Sequence, residues 1–315
     1  MEKILVIGAA GQLGSELTKS LSDIYGGDQV IATDLHESAR SKFDYCRFEA
    51  LDIMDQAKAK ELIQKEGIKQ VYHLAAVLSA VGEKKPLFAW DLNMDSLLFV
   101  LEMAREFKME KVYWPSSIAV FGPNTPKINT PQYCVKEPNT VYGISKQAGE
   151  RWCEYYFQKY GVDVRSLRYP GLIGYKSLPG GGTTDYAVDI YHKALAGEKF
   201  TCFLREDSSL PMMYMPDAIK ATLDLMHAPS ESVKIRSSYN LSGMSFDPKA
   251  IYESILKFHP DFEIEYQPDF RQGIADSWPD SIDDSCARKD WGWKPDFDLD
   301  EMTKDILENL PNFKF

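Results

Sequence analysis

The stretch Ile4-Leu5-Val6-Ile7-Gly8-Ala9-Ala10-Gly11-Gln12-Leu13-Gly14 decides how this chain folds. Four apolar residues in a row read as a strand buried on both faces. The glycines follow at once, and a helical spacing of apolar residues opens at Leu13 and runs to Ser22. A strand, a glycine loop and a helix in this order aim free backbone N–H groups and the positive helix end at an anion. Gly8 permits the sharp turn, Gly11 lets the backbone approach a pyrophosphate, and Gly14 lets helix and strand pack closely. Gln12 and Leu13 lie between the last two glycines and join them as cofactor-contacting positions. The second strand, Val30–Thr33, ends at Asp34, 20 residues past Gly14. A carboxylate there takes both hydrogen bonds of an adenosine ribose diol and repels a 2′-phosphate, which favours NAD over NADP. The plain alternative is a glycine turn without a ligand and a surface aspartate.

Outward from this stretch, strands and helices alternate. Arg47–Leu51, Val71–Ala75, Val112–Pro115 and Val164–Leu167 read as further strands. Gln56–Glu66, Ala89–Phe107 and Tyr142–Tyr160 have helical spacing between them. Such alternation means βαβ units and a parallel sheet. Asp52-Ile53 closes the third strand, where a side chain meets the adenine. Leu74-Ala75-Ala76 closes the fourth, where small residues let a dinucleotide lie against the backbone. Past Tyr169 the pattern loosens. Helices are expected over Thr184–Ala196, from Pro216 to about His227, and over Asp247–Phe258, Asp283–Trp291 and Asp300–Leu310, with one or two strands in Lys234–Ser242. The fold class is therefore α/β: a Rossmann-type doubly wound parallel sheet with a smaller C-terminal α/β cap. Residues 1–170 are assigned to the dinucleotide-binding domain and 171–315 mainly to the substrate-binding cap, with the helix 216–228 packed back on the first domain.

Composition excludes several functions. The 315 residues are 44% hydrophobic and 26% charged, an ordinary globular mix. Lys and Arg number 36 against 47 Asp and Glu, a formal charge of −11. So acidic a chain lacks the electrostatic footprint of a nucleic-acid or anionic-membrane binder. The apolar run Ile4–Ile7 is too short for a signal-peptide core, and no stretch nears the length of a membrane span. The five cysteines are odd in number and without C-x-x-C spacing, which reads as reduced thiols in a cytoplasmic protein. The five histidines lack metal-ligand spacing, so no metal is expected.

The chemistry points to Tyr142-Gly143-Ile144-Ser145-Lys146. Four residues apart, Tyr142 and Lys146 share one helix face. Ser117 lies just past the fifth strand, 25 residues upstream of Tyr142. A phenol with a pKa of about 10 is a poor base at neutral pH. Bringing it into range takes about 3–4 kcal/mol, within reach of Lys146 together with an oxidised nicotinamide. Lys146 also holds the nicotinamide ribose in this reading, and Ser117 orients the substrate oxygen. The bland alternative is an amphipathic tyrosine beside a solvated lysine.

With these motifs in place, the sequence resembles the extended short-chain dehydrogenase/reductase family over nearly its whole length. The resemblance implies NAD at Gly8, Gly11, Gly14 and Asp34, and catalysis by Ser117, Tyr142 and Lys146. It implies a supporting and cofactor-contacting role for Asn93, and it places Tyr169 among the cofactor contacts. It also implies a homodimer through the helices holding Asn93 and Tyr142, with Leu97, Leu98, Leu101, Trp152, Tyr155 and Tyr156 supplying apolar surface.

Most extended members act on nucleotide sugars through an R-Y-F-N-like segment whose Asn meets the diphosphate. Here the segment is Arg168-Tyr169-Pro170-Gly171, with glycine in place of that Asn. Three other segments, 115–122, 179–187 (Pro-Gly-Gly-Gly-Thr-Thr-Asp-Tyr-Ala) and 275–284 (Ala-Asp-Ser-Trp-Pro-Asp-Ser-Ile-Asp-Asp), are similar to the threonine-oxidising branch of the family. L-threonine is a small zwitterion with a secondary alcohol. Thr183, Thr184 and Ser79 offer donors to its carboxylate, Asp185 an acceptor to its ammonium, and Trp278 a cover that excludes water. The triple glycine 180–182 suits a moving lid. Taken singly, these are also a plain loop, a helix N-terminal carboxylate and a core aromatic. A nucleotide-sugar epimerase or dehydratase and a non-enzymatic NAD-sensing regulator are the other functions open to this sequence. The regulator would lack the tyrosine or the lysine.

Overall fold

The computed structural model describes residues 2–179 and 182–313. Gly180 and Gly181, on which the lid reading rests, lie outside the described residues. A six-stranded parallel sheet forms from β1 (Lys3–Ile7), β2 (Val30–Asp34), β3 (Arg47–Ala50), β4 (Ile68–His73), β5 (Lys111–Tyr113) and the strand Val164–Arg165. Its order is β3-β2-β1-β4-β5 and then Val164–Arg165. From β1 the chain builds outward on one side through β2 and β3, and on the other through β4 and β5. The order thus reverses beside β1, the place where open α/β sheets leave a crevice at their carboxyl ends.

The helices are α1 (Gln12–Tyr25), α2 (Gln56–Glu66), α3 (Ser79–Lys84), α4 (Pro86–Glu106) and α5 (Val141–Tyr160). Their ends follow local chemistry. The Asp55 carboxylate accepts from Lys58 N at 3.2 Å at the start of α2, and Thr140 Oγ1 accepts from Gly143 N at 3.1 Å at the start of α5. Pro86 opens α4 at a position where its missing N–H costs nothing. Leu5, Ile7, Ile31, Val71, Leu97, Leu101, Val112, Trp114, Tyr156 and Val164 share one core. Each large side chain buried there is worth about 1.5–3 kcal/mol. Gly149 lets α5 come down on the sheet, because a Cβ there would lie 2.4 Å from the Trp114 ring.

By its contacts the chain divides into two units. The first is Met1–Ser116, Thr140–Leu167 and Thr222–Tyr239; the second is Ser117–Asn139, Arg168–Ala221 and Asn240–Phe315. The expected boundary near 170 is thus one of several crossings, and the helix Met215–His227 itself spans one of them. The second unit holds two small sheets. Phe200–Cys202 pairs in parallel with Ile264–Tyr266. Leu210–Tyr214 lies between Gly171–Ile173 and Met244–Phe246. The helices Tyr186–Ala196, Pro248–Leu256, Ser285–Trp291 and Leu299–Asn309 complete it, with a short turn of helix at Arg271–Ala275. Among the described residues no helix is long and apolar enough to cross a membrane.

Candidate active site

The glycine loop leaves β1 and curls over the ends of its neighbours. Gly8 N and Ala9 N both donate to Thr33 O at 2.9 Å, while Leu74 N and Ala75 N donate to Ile7 O. Gly8 has φ +82°, and a Cβ on it would lie 2.6 Å from Ala75 N. A Cβ on Gly14 would lie 2.3 Å from Gly8 O. Gly11, by contrast, has only Gly8 O near its Cβ direction, at 3.5 Å. The loop is therefore closed toward the protein at Gly8 and Gly14 and open at Gly11. Gly11 is the N-cap of α1, no side chain caps that end, and the first turn holds no acidic residue. Asp34 ends β2 with its carboxylate turned to the loop: it accepts from Ala10 N and from Leu35 N, each at 2.8 Å. A carboxylate facing an uncapped glycine-rich helix end fits the ribose and pyrophosphate of NAD. Ala75, half-buried, and the Leu74 carbonyl carbon lie beside Gly8, and Ala76 is half-buried. Asp52 is exposed and accepts from Met54 N at 2.9 Å, while Ile53 faces the core.

On α5, Lys146 is 3% exposed. Its ammonium donates to Pro115 O at 2.6 Å and lies 4.4 Å from the centre of the Trp114 ring and 5.6 Å from that of Tyr142. Burial pulls its pKa down to about 7, against the opposing pull of Cys153 and Glu150. Tyr142 is half-buried, one turn before Lys146. Asn93 on α4 supports this corner: its Oδ1 accepts from Val77 N at 2.8 Å, and its Nδ2 donates to Val77 O and to Ser145 Oγ. One amide therefore ties the segment after β4 to the residue beside Lys146. Ser79, half-buried, opens α3 just beyond.

The remaining expected residues belong to the second unit. Ser117 Oγ accepts from Ala119 N at 3.2 Å, which leaves its own proton to give. Tyr169 is buried and directs its hydroxyl at Ala218 O. Thr183 is buried, and Thr184 is half-buried. Asp185, not Thr184, stands at the N-cap of the helix Tyr186–Ala196, and its carboxylate turns back to accept from Gly182 N at 2.9 Å. Trp278 is buried, two residues past the helical turn Arg271–Ala275 and the Asp276 that caps it. A Cβ on Gly171 would lie 2.4 Å from Met212 Sδ and 2.9 Å from Thr184 Cβ. The branched Thr184 leaves no room for an asparagine there.

Four residues of this corner escaped the sequence reading. Glu150 is fully buried and accepts from Ser116 Oγ at 2.7 Å. It continues the spacing of Tyr142 and Lys146 by one more turn, a signal present in the sequence. His73 ends β4, fully buried. Ser96 Oγ gives its one proton to Leu92 O at 2.6 Å, so the 2.9 Å contact with His73 Nε2 requires an N–H on that nitrogen. Nδ1 is then a bare lone pair, without a hydrogen-bond partner among the described residues. Burial, with the Lys146 charge nearby, keeps the ring neutral down to a pKa of about 3. Leu97, Leu101 and Tyr156 prove to be core residues, and Leu98 is half-buried. Of the surface proposed for pairing, Trp152 and Tyr155 are the exposed members.

Known proteins share this fold over nearly the whole chain. The GalE-like L-threonine dehydrogenase of Cupriavidus necator in its holo form is 57% identical, with a TM-score of 0.96 over 98% of this chain and 99% of that one. An apo structure of a monomeric L-threonine 3-dehydrogenase from a metagenome is 49% identical, with a TM-score of 0.94 over 98% and 99%. An uncharacterized epimerase/dehydratase of Staphylococcus saprophyticus is 49% identical over 312 residues, 98% of this chain and 97% of its own length. The model of the NAD dependent epimerase/dehydratase family matches residues 4–242. The chain belongs to that family, the extended short-chain dehydrogenase/reductases, and is an NAD-dependent oxidoreductase.

Proposed function

We propose that this oxidoreductase converts the secondary alcohol of L-threonine to the ketone of L-2-amino-3-ketobutyrate. The observation that carries the reading is the likeness to threonine dehydrogenases across the full length, second unit included, at high identity. The packing of Gly171 against Thr184 supports it, since it removes the side chain that would hold a nucleotide diphosphate.

Gly8, Gly11, Gln12, Leu13 and Gly14 would hold the pyrophosphate of NAD, and Asp34 the adenosine ribose. Asp52, Ile53, Leu74, Ala75 and Ala76 would border the adenine and the chain of the dinucleotide. Asn93, Tyr142, Lys146 and Tyr169 would surround its nicotinamide end. When bound, NAD supplies the acceptor for the hydride that leaves the substrate's Cβ. Tyr142 takes the hydroxyl proton on its phenolic oxygen, a role worth about 10²–10⁴-fold in rate. Lys146 supplies the positive charge that makes a phenolate tolerable. Ser117 donates a hydrogen bond to the alcohol oxygen and orients it. Ser79, Thr183 and Thr184 are assigned the substrate carboxylate, Asp185 its ammonium, and Trp278 the exclusion of water.

The test is NADH formation from NAD with L-threonine, L-serine and UDP-glucose in parallel. Turnover of threonine well above serine, and none with the sugar nucleotide, is the expected result. Epimerisation of UDP-glucose without net NADH would replace this reading by the nucleotide-sugar one, and silence on every substrate with intact NAD binding would favour a sensing role. We also propose a homodimer through α4 and α5, because Trp90, Trp152 and Tyr155 leave large apolar area exposed on these helices. A monomeric mass in light scattering would reject it; one relative is described as monomeric.

A further inference from the structure

Tyr142, Lys146 and Glu150 stand at successive turns of α5, on one face. The buried Glu150 carboxylate is clamped by the Ser116 hydroxyl at 2.7 Å, and Lys146 feels its charge. Among the described residues, the other titratable groups named around the Lys146 ammonium are Cys153 and Tyr142 on the same helix and His73 from β4. Burial holds the Cys153 thiol well above its ordinary range, so it stays protonated, and His73 stays neutral. Glu150 is therefore the anion available to the lysine within this pocket.

A tyrosine and a lysine this close titrate as one pair. After the pair has lost one proton, the remaining proton has two homes. Either Lys146 is an ammonium beside a Tyr142 phenolate, or Lys146 is a neutral amine beside a Tyr142 phenol. The two forms differ only in one proton moved from oxygen to nitrogen, and only the first can accept the proton of an alcohol. Burial without a counter-charge favours the second, neutral form.

We propose that Glu150, clamped by Ser116, is a positioning residue that makes Lys146 the holder of that last proton and so leaves the phenolate on Tyr142. Glu150 sits next to the lysine and two turns from the tyrosine, so its charge stabilises the ammonium more than it destabilises the phenolate. This rests on the reading of Tyr142 and Lys146 as the catalytic pair.

The test is the pH profile of kcat/KM for L-threonine in wild type, Glu150→Gln, Glu150→Asp, Ser116→Ala and Tyr142→Phe, with one substrate throughout so that its own titration cancels. Removing the Glu150 charge makes the pair lose its first proton more easily, so in Glu150→Gln the inflection moves down by about one pH unit. At the same time the remaining proton shifts toward Tyr142, and the plateau falls about tenfold, the weight of one pH unit of proton preference. Glu150→Asp and Ser116→Ala keep the carboxylate and keep the wild-type inflection. A merely structural glutamate would lower the plateau and leave the inflection in place, and that result, or an upward move, overturns the proposal. If Glu150→Gln does not fold, the double variant Ser116→Ala with Glu150→Met, which leaves no half of the pair unsatisfied, must show the same downward move or the proposal falls. Tyr142→Phe separates the two readings. If it is inactive while Glu150→Gln keeps its inflection, only the role of Glu150 is lost; if it turns over normally, the catalytic pair is wrong and this inference goes with it.

Discussion

The two units state themselves in the sequence in different ways. In the first, β1 pairs with β2 across α1, and β4 pairs with β5 across α3 and α4. Apolar runs and helical spacing then suffice to place β1, β2, β4, α2 and α5. In the second, Phe200 pairs with Ile264 and Met212 with Gly171, short strands joined across long stretches of chain. The difference divides the function as well. Groups assigned to every substrate, the glycine loop, Asp34, Tyr142 and Lys146, lie on or directly between regular elements, where spacing is geometry. Groups assigned to one substrate, Thr183, Thr184, Asp185 and Trp278, sit on loops and turns whose neighbours come from far along the chain. Ser117, Tyr169 and Ser79 apart, whose assigned roles cross this division, variants in the first unit should disturb chemistry and cofactor, and variants in the second should disturb choice of substrate.

The largest expected effect is at Tyr142. Tyr142→Phe keeps the ring and removes the proton acceptor, so kcat should fall by about 10²–10⁴-fold with NAD affinity unchanged. Lys146→Ala should lose rate and NAD affinity together. Stopped-flow NADH formation and a fluorescence titration with NAD read the two quantities separately. Near-normal turnover in Tyr142→Phe would erase the division at its strongest point.

The second unit gives the converse. Gly171→Asn forces a side chain against Thr184 and Met212, an overpacking cost of about 1–3 kcal/mol. It should lower the melting temperature and threonine turnover while NAD binds as before. Thr184→Val is the finer probe, because it keeps the branched shape that packs on Gly171 and removes only the hydroxyl. If that hydroxyl holds the substrate carboxylate, kcat/KM for threonine should fall by about 1–3 kcal/mol with the melting temperature unmoved. An intact kcat/KM would return Thr184 to a packing role and weaken the threonine assignment.

How much could be read beforehand follows from the same contrast. The glycine loop, Asp34 and the helix of Tyr142 stand within a residue or two of where their spacing puts them, because each is fixed by local rules. The strand Leu210–Tyr214 was missed because Pro211 argues against a central strand. Pro211 is tolerated because its parallel neighbour starts only at Met212, so it borders a single strand, across from Ser245. Glu150 was missed for a different reason. A glutamate on a helix reads as a solvated face, and only the tertiary fold shows that this one is fully buried against Ser116. His73 likewise looks like any strand-end histidine until Ser96 fixes its tautomer.

A smaller effect is expected at Asp34. Its carboxylate already accepts from Ala10 N and Leu35 N, so Asp34→Ala would strand two backbone donors and confuse folding with recognition. Asp34→Asn keeps an acceptor and removes the charge. The preference for NAD over NADP should fall by about tenfold, slightly more than the roughly 1 kcal/mol of a water-screened charge–charge repulsion at about 4 Å. Comparing kcat/KM for the two cofactors measures it. An unchanged ratio would mean that Asp34 serves the loop and not the ribose.

The smallest effect tests which unit is sensitive to acid. In the folded chain burial keeps His73 neutral down to about 3, whereas an unfolded histidine takes up a proton near 6.5. The unfolded state therefore binds more protons between these values, and stability rises with pH there. His73 contributes stability that is fully present above 6.5 and is lost as pH falls toward 3, at up to about 1.4 kcal/mol per pH unit. His73→Gln can still offer an N–H to Ser96 Oγ and does not titrate, so the acid-side slope of unfolding free energy should flatten by up to that amount. In the second unit His192 is half-buried, and burial lowers its pKa against the opposing charge of Asp189. His192→Gln should flatten the slope less. Urea unfolding from about pH 4.5 to 7 gives both slopes from the same measurement. Parallel lines for wild type and His73→Gln would show that the imidazole is reached by water in the folded state, and the picture of a dry first unit beneath Lys146 would have to be given up.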